Sequence, residues 1–160
     1  MKNLPAQPIT MTVTGDFITL EYQKELLISE DTINEDLKDQ PSYFAWYAVL
    51  HEKVIEEASK LKMALELLEA GLADEIRKAA ALAGEKKPTE KYISEQILLN
   101  LAYQEAQLNL ISTQKNLGVL KSVKEAFNHR KDMLITLASN MRAQWDANIY
   151  IKKTEIEKQT

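Results

Sequence analysis

Apolar and polar residues alternate along residues 8–20 of the chain, with apolar side chains at one parity and threonines at the other. A Gly15-Asp16 pair interrupts this alternation. A period of two residues is typical of strands, and such a pair between two alternating runs favours a tight turn. The segment predicts a short β-hairpin, which must pack on the helices or pair with a neighbouring subunit because an isolated hairpin is marginal in water.

Residues 32–39 are predicted to form a short acidic helix that ends before Pro41, because proline disrupts a helix interior. Residues 1–40 carry eight acidic side chains against three lysines, a net charge of 3 − 8 = −5. We therefore interpret residues 1–40 as an acidic N-terminal segment made of the β-hairpin and this short helix.

The next pattern has apolar residues every three or four positions, which is typical of an amphipathic helix. Ser42 is a residue type that caps helix N-termini, Gly84 is a helix stop signal, and Thr89 is a natural cap for the following helix after Pro88. The predicted core positions, with His51 in the same stripe, are Phe44, Tyr47, Val54, Ala58, Leu61, Leu65, Leu68, Leu72, Ile76 and Ala79.

A second amphipathic pattern without proline follows and predicts one continuous helix over residues 90–150, about 90 Å long at ~1.5 Å per residue. The two helices predict a mainly α fold, a long antiparallel helical hairpin that resembles a coiled coil. The apolar positions of the second helix are Tyr92, Ile97, Leu101, Leu108, Ile111, Leu117, Leu120, Val123, Phe127, Leu134, Leu137, Met141 and Trp145.

This hairpin, residues 41–150, is the predicted core for oligomerisation, and residues 151–160 are predicted to be a flexible tail. Two paired helices bury only one stripe each, so apolar surface near Trp46, Phe127 and Trp145 needs another partner. We therefore expect a homo-oligomer.

Composition narrows the class of protein. The 160 residues include four glycines, four prolines and no cysteine, which fits a helix-rich chain and excludes disulfides, thiolate nucleophiles and cysteine zinc sites. The longest apolar run is far below the ~20 residues that span a bilayer, and the N-terminus lacks an apolar signal-peptide core. We expect a cytoplasmic protein without a membrane partner.

Motifs for catalysis, metal binding or cofactor binding are absent from the sequence. There is no HExxH or ExxH, no phosphate-binding glycine loop and no nucleophile elbow. His51 falls in the apolar stripe and is interpreted as a satisfied core residue. We expect no enzyme, no metal and no cofactor.

Basic residues cluster along the second helix. At about 100° per residue, Lys124, Lys131 and Arg142 project within about 20° of one another, with Lys121 about 60° away. They could bind phosphates, or they could pair with glutamates of the first helix at coiled-coil flanking positions, and the sequence leaves both open. Arg130 projects into the apolar stripe, where it either pairs at a contact between helices or points into a shared channel.

A second basic cluster brackets the hairpin turn, with Arg77 and Lys78 before it and Lys86, Lys87 and Lys91 around it. Its place at one tip predicts accessibility. Cations near a helix C-terminus are also explained by the helix dipole, so Arg77 and Lys78 have a purely structural alternative.

Three segments resemble the UvsY-like recombination mediator proteins of tailed bacteriophages. They are PSYFAWYA at residues 41–48, GEKKPTEK at residues 84–91 and LKSVKEAFNHRKDML at residues 120–134, and the resemblance covers roughly residues 41–145.

This resemblance implies a non-enzymatic helper of DNA recombination and repair, acting in the bacterial host cytoplasm. Such a protein binds single-stranded DNA, assembles as a ring-like homo-oligomer and helps a RecA-like recombinase to replace single-strand-binding protein. Basic residues just before the turn carry DNA binding in the family, which corresponds here to Arg77 and Lys78. The full set of nucleic-acid-binding candidates is Arg77, Lys78, Lys86, Lys87, Lys121, Lys124, Arg130, Lys131 and Arg142.

The alternative function is a coiled-coil scaffold or assembly chaperone of a phage particle, in which the basic residues only form salt bridges between subunits. The subunit number and the choice between DNA and RNA stay open. The acidic residues 1–40 motivate a further hypothesis, that this segment mimics nucleic acid and covers the basic surface until it is displaced.

Overall fold

A computed structural model describes the backbone of residues 8–13, 15–84 and 86–158, and within these ranges the side chains as far as Tyr150. The elements in chain order are β1 (Ile9–Val13), β2 (Asp16–Leu20), α1 (Tyr22–Glu25), α2 (Ile33–Leu82), α3 (Glu90–Leu99) and α4 (Leu101–Lys158). The fold is mainly helical, with a small antiparallel β-hairpin and two long helices that pack against each other, which confirms the predicted fold class.

The chain divides into two compact units. The first, here called the terminal unit, contains Ile18–Val49 and α4 from Lys121 to Lys158, together with residues 8–10. The second, the turn unit, contains Met11–Phe17 and Leu50–Leu120. Each long helix contributes one part to each unit.

The hairpin forms where the alternation predicts it. The Thr10 and Thr19 hydroxyl oxygens lie 3.3 Å apart, which sets these two residues opposite each other. In this register Met11, Val13 and Leu20 share one face and all three are buried, whereas Phe17 on the other face is exposed. Gly15 occupies the connection at φ +88°, a conformation that favours glycine.

Helix α2 is continuous through Pro41, so the prediction of a separate short helix and of a helix start at Ser42 is wrong. Proline removes one N–H and with it the hydrogen bond to the Leu37 carbonyl, at a cost of roughly 3 kcal/mol in a helix interior. Because Pro41 is exposed, its ring displaces no core side chain. Burial of the helix on both sides of Pro41 offsets this local cost.

The buried face of α2 keeps one heptad phase across Pro41. From Ile33 onward, residues spaced alternately by four and three are buried or half-buried, as in the seam of a coiled coil. These positions are Ile33, Leu37, Gln40, Phe44, Tyr47, His51, Val54, Ala58, Leu61, Leu65, Leu68 and Leu72. His51, predicted in this seam, is buried at 9% exposure, with Nδ1 3.2 Å from the Glu52 carboxylate.

The turn after α2 follows the predicted signals. The helix ends at Leu82, and Gly84 adopts φ +69°, a conformation in which glycine is unstrained. The Thr89 hydroxyl accepts a 3.2 Å hydrogen bond from the Tyr92 amide, which confirms Thr89 as the cap of α3.

The predicted continuous helix over residues 90–150 is broken at Asn100, which adopts an extended conformation (φ −74°, ψ 124°). The Asn100 amide donates to the Ile97 carbonyl, and its side-chain oxygen accepts from the Tyr103 amide at 3.2 Å. One asparagine therefore ends α3 and caps α4, because its short polar side chain substitutes for missing backbone partners.

The break changes which side chains of the second half are buried. Leu101, Leu108 and Ile111, predicted as core residues, are exposed at 75%, 64% and 54%, and Tyr92 is half exposed. Further along α4 the predicted stripe is confirmed, with buried residues at Leu120, Val123, Phe127 and Leu134.

Helix α4 continues through Lys158, into the segment that the sequence predicted to be a flexible tail. Within the described residues, no helix combines the length and hydropathy that crossing a membrane requires.

The continuity of α2 generates a test. We expect Pro41→Ala to raise the free energy of unfolding by about 1–3 kcal/mol, because alanine restores the hydrogen bond to the Leu37 carbonyl. Ser42→Ala is the matched variant: inside a helix it changes stability by less than about 0.5 kcal/mol, whereas loss of an N-cap costs about 1 kcal/mol. Urea unfolding followed by circular dichroism measures both. Destabilisation by Ser42→Ala with no gain from Pro41→Ala would contradict a continuous helix.

Candidate nucleic-acid interface

Arg130 of α4 is buried in the terminal unit at 3% exposure. Its Nη2 donates to Asp36 Oδ1 at 2.5 Å and to the Leu27 carbonyl at 3.3 Å. Its Nη1 donates to Gln40 Oε1 at 2.7 Å, and Gln40 Nε2 donates in turn to the Phe127 carbonyl at 2.6 Å. The guanidinium thus joins α2, α4 and the segment before α2.

These contacts decide between the two sequence interpretations of Arg130. It pairs at a contact between helices and does not point into a channel. Its charge is neutralised by Asp36, and Nε is the one buried side-chain polar atom in the described ranges without a hydrogen-bond partner. Because burial leaves no room for a phosphate, Arg130 is removed from the candidate DNA-binding residues.

An aromatic cluster lies beside this network. The Phe127 ring stacks on Tyr43 and on Tyr47, with centroids 5.8 Å and 4.8 Å away. Tyr47 is fully buried and its hydroxyl donates to Glu25 Oε2 at 2.7 Å. Burial, together with this hydrogen bond, raises the pKa of Tyr47 far above its ordinary value. The cluster and the Arg130 network together fix the rotation of α4 against α2.

With this rotation, four cations line one side of α4 in the terminal unit, and we call them the basic ridge: Lys121, Lys124, Lys131 and Arg142. Lys124 is half-buried and the other three are exposed. Lys131 Nζ lies 3.4 Å from Asp132, and Arg142 Nε donates to the Ala138 carbonyl at 3.3 Å.

Within the described part of the terminal unit, the ridge forms no ion pair with the carboxylates of its section of α2, residues 33–49. In the same part of the chain Lys121 and Lys124 form no ion pair, and the pair made by Lys131 is with a neighbour on its own helix. From Lys124 to Arg142 the ridge extends about 27 Å along the helix at 1.5 Å per residue. The ridge therefore presents charge to solvent.

The second basic cluster, at the turn after α2, is here called the tip cluster: Arg77, Lys78, Lys86, Lys87 and Lys91. Unlike most of the ridge, its first two cations are paired with carboxylates. Arg77 Nη2 donates to both oxygens of Glu90, at 2.9 Å and 3.2 Å, and Lys78 Nζ lies 2.5 Å from Asp74. The hydrogen bond to Asp74 raises the pKa of Lys78. Arg77 and Lys78 are thus both paired with carboxylates, although exposed pairs contribute only about 0–1 kcal/mol and are readily exchanged.

The remaining tip residues differ from that pair. Lys91 lies 3.9 Å from Glu95, close to the limit of an ion pair. Lys86 and Lys87 are exposed and form no ion pair in the described part of the turn unit. They are the tip cations that are open to an anion.

Sequence reasoning missed Asp36 and Gln40, the partners of Arg130, because it placed Asp36 in a separate helix. The signal was present: Ile33, Leu37 and Gln40 continue the four-and-three spacing of Phe44 and Tyr47 backward across Pro41. The sequence placed Trp145 at the end of the apolar stripe and among the surface that the hairpin leaves uncovered, and its side chain is 70% exposed.

The Arg130 network makes a quantitative prediction. We expect Arg130→Met to lower the free energy of unfolding by about 3–5 kcal/mol, because half-buried Asp36 and buried Gln40 then lose their partner. The double variant Arg130→Met with Asp36→Leu should lose less free energy of unfolding than the two single variants lose together. Urea unfolding of the four proteins gives this coupling energy.

A coupling energy of at least about 1 kcal/mol is expected for residues in direct contact. Lys131→Met is the matched control, because it removes the neighbouring cation at an exposed position and should change stability by less than about 0.5 kcal/mol. Additive losses in the double variant would contradict the network.

The described residues hold no group of three or more His, Asp or Glu side chains placed to bind a metal ion. Comparison with known protein families, with curated proteins and with solved structures finds no match for this chain.

Proposed function

We propose that this protein is a non-enzymatic recombination mediator, which binds single-stranded DNA on the basic ridge and promotes loading of a RecA-like recombinase in place of single-strand-binding protein. The observation that carries the proposal is the ridge itself: four cations on one face of α4, three of them exposed, which form no ion pair with another helix in the described part of the terminal unit. The mediator role rests on the resemblance to UvsY-like proteins, and the ridge supports its DNA-binding step.

A ridge of this kind can bind a polyanion such as single-stranded DNA irrespective of its base sequence. Lysines act as point charges for phosphates, and arginine adds directed N–H donors. Each neutralised phosphate releases counterions, so four contacts give a measurable and salt-dependent affinity.

Three of the eight acidic side chains of the N-terminal segment make contacts away from the ridge. Asp36 pairs with Arg130, Glu21 pairs with Lys24, and Glu25 accepts from Tyr47. No described ion pair joins this acidic segment to the ridge, so the hypothesis that the segment covers the ridge gains no support from these contacts.

Self-association is the second part of the proposal. In the turn unit, Leu101, Leu108 and Ile111 form an exposed apolar row on one side of α4. Burying this row against another copy removes apolar surface from water and forms a homo-oligomer in which the ridge is repeated, as in a closed ring. A phage scaffold or assembly chaperone would use the same row, but it would not need the ridge to bind DNA.

The first test compares charge variants in DNA binding. For the wild-type protein and an oligothymidylate, we expect log K to fall with log salt concentration with a slope of about −3, from four phosphates at about −0.7 each. Replacing Lys121, Lys124, Lys131 and Arg142 with glutamine should bring the slope close to zero and weaken binding by more than about tenfold at low salt.

The matched control replaces four exposed lysines elsewhere with glutamine, namely Lys38, Lys53, Lys62 and Lys115. It changes the net charge equally and should keep most of the affinity. Equal losses in the two variants would show a general charge effect. Undetectable binding of the wild-type oligomer to DNA would favour the scaffold function.

The second test concerns the apolar row. Leu108→Glu with Ile111→Glu should convert the oligomer to a monomer in light scattering after size exclusion, because charges cannot be buried unpaired in an interface. Met133→Glu, at an exposed apolar position of the terminal unit, is the control and should leave the oligomer intact. An unchanged mass for the double variant would exclude the row as the subunit contact.

A further inference from the structure

Trp145 is one of two described aromatic residues of the terminal unit, with Tyr150, whose side chains are largely exposed. It is 70% exposed, whereas Trp46 is 45% exposed and sets its ring against Tyr47 at a centroid distance of 4.7 Å. Trp145 has no ring partner among the described residues. An exposed tryptophan presents a large flat apolar surface that is suited to stacking.

The ring borders a groove of about 430 Å³ between the first turns of α2 and the later part of α4. This volume lies within the range of roughly 300–1,000 Å³ found for ligand sites. The groove exists because α2 begins at Ile33, so α4 beyond Trp145 has no further turn of α2 beside it. Its lining is Ile33, Asn34, Leu37, Ala138, Met141, Arg142 and Trp145.

Arg142 lines the same groove and is the last cation of the basic ridge. It precedes Trp145 by three residues, so the two side chains are neighbours on the helix surface. Its Nε donates to the Ala138 carbonyl, and its other guanidinium N–H groups make no hydrogen bond in the described part of the chain. A cation with free donors therefore lies beside a free aromatic face.

We infer that Trp145 stacks on a base of single-stranded DNA while Arg142 binds a phosphate next to that base. This inference rests on the proposed function and adds a base-contacting residue to it. A nucleotide satisfies both groups at once, because it brings a π-face for the ring and an anion for the guanidinium. An apolar segment of a second copy would cover the ring but leave the Arg142 donors without an acceptor.

Two carboxylates near the groove restrict where the phosphate binds. Glu35 follows Asn34 on α2, and Asp146 follows Trp145 on α4, and both are exposed. Asp146 also follows Arg142 by four residues and so lies beside it on the helix surface. Because both carboxylates repel a phosphate, the strand approaches Arg142 from the side of Lys131. The base then reaches the ring from the ridge.

Fluorescence tests the stacking directly, because the chain has two tryptophans. In the Trp46→Phe variant Trp145 is the one remaining reporter, and we expect its emission to be quenched when an oligothymidylate is added. The Trp145→Phe variant reports on Trp46 and should show little quenching.

Affinity measurements distinguish the contribution of the base to binding from that of the phosphates. An abasic oligonucleotide of the same length retains the phosphates, and we expect the wild-type protein to bind it about 5- to 150-fold more weakly than oligothymidylate. Trp145→Ala should lower the affinity for oligothymidylate by a similar factor and leave the slope of log K against log salt concentration unchanged. Its affinities for oligothymidylate and for the abasic strand should be nearly equal. Arg142→Gln should instead reduce the slope by about 0.7.

The outcomes distinguish this inference from the function on which it rests. Equal wild-type affinity for both strands, with a steep salt slope and no quenching, overturns stacking and leaves DNA binding on the ridge standing. A Trp145→Ala variant that falls apart into monomers in light scattering shows a subunit contact and also overturns it. No binding of either strand overturns both proposals.

Discussion

The buried guanidinium of Arg130 is the interaction on which the terminal unit depends. A charge at 3% exposure is tolerated only with an opposite charge and enough acceptors, and Asp36, Gln40 and the Leu27 carbonyl supply them. Such directional contacts allow one axial register and one rotation of α4 against α2. Apolar packing alone, as at Leu120 or Leu134, would tolerate small slips more easily.

That rotation gives neighbouring cations opposite roles. Arg130 lies in the buried seam, and Lys131, about 100° further round the helix, points to solvent. The ridge exists because its members share one flank of the seam. A change that rotates α4 would bury some of these charges and expose Phe127, so the structural network and the proposed binding surface are coupled through one helix.

The sequence predicted the elements whose signals are local and independent: the alternation of the hairpin, the spacing of the long helices, and the Thr89 cap. It failed where two signals compete. At Pro41 the local cost of proline was given more weight than the seam that continues from Tyr47 back to Ile33, and Arg130 therefore lost its partners in the prediction. Asn100 could not be identified from the sequence as a helix break, since asparagine is tolerated inside helices and becomes a cap only when tertiary packing favours a break.

The break at Asn100 directly precedes the apolar row, which is used together with the basic ridge in the proposed function. Because α4 restarts with a new rotational phase, Leu101, Leu108 and Ile111 face solvent in the turn unit and are free to contact another copy. The ridge and Trp145 belong to the terminal unit, so the two surfaces share no residue. In the proposed function, a protein with a net charge of −4 gains affinity for a strand by repeating a ridge of four cations in each subunit, since linked weak sites bind more tightly than each one alone.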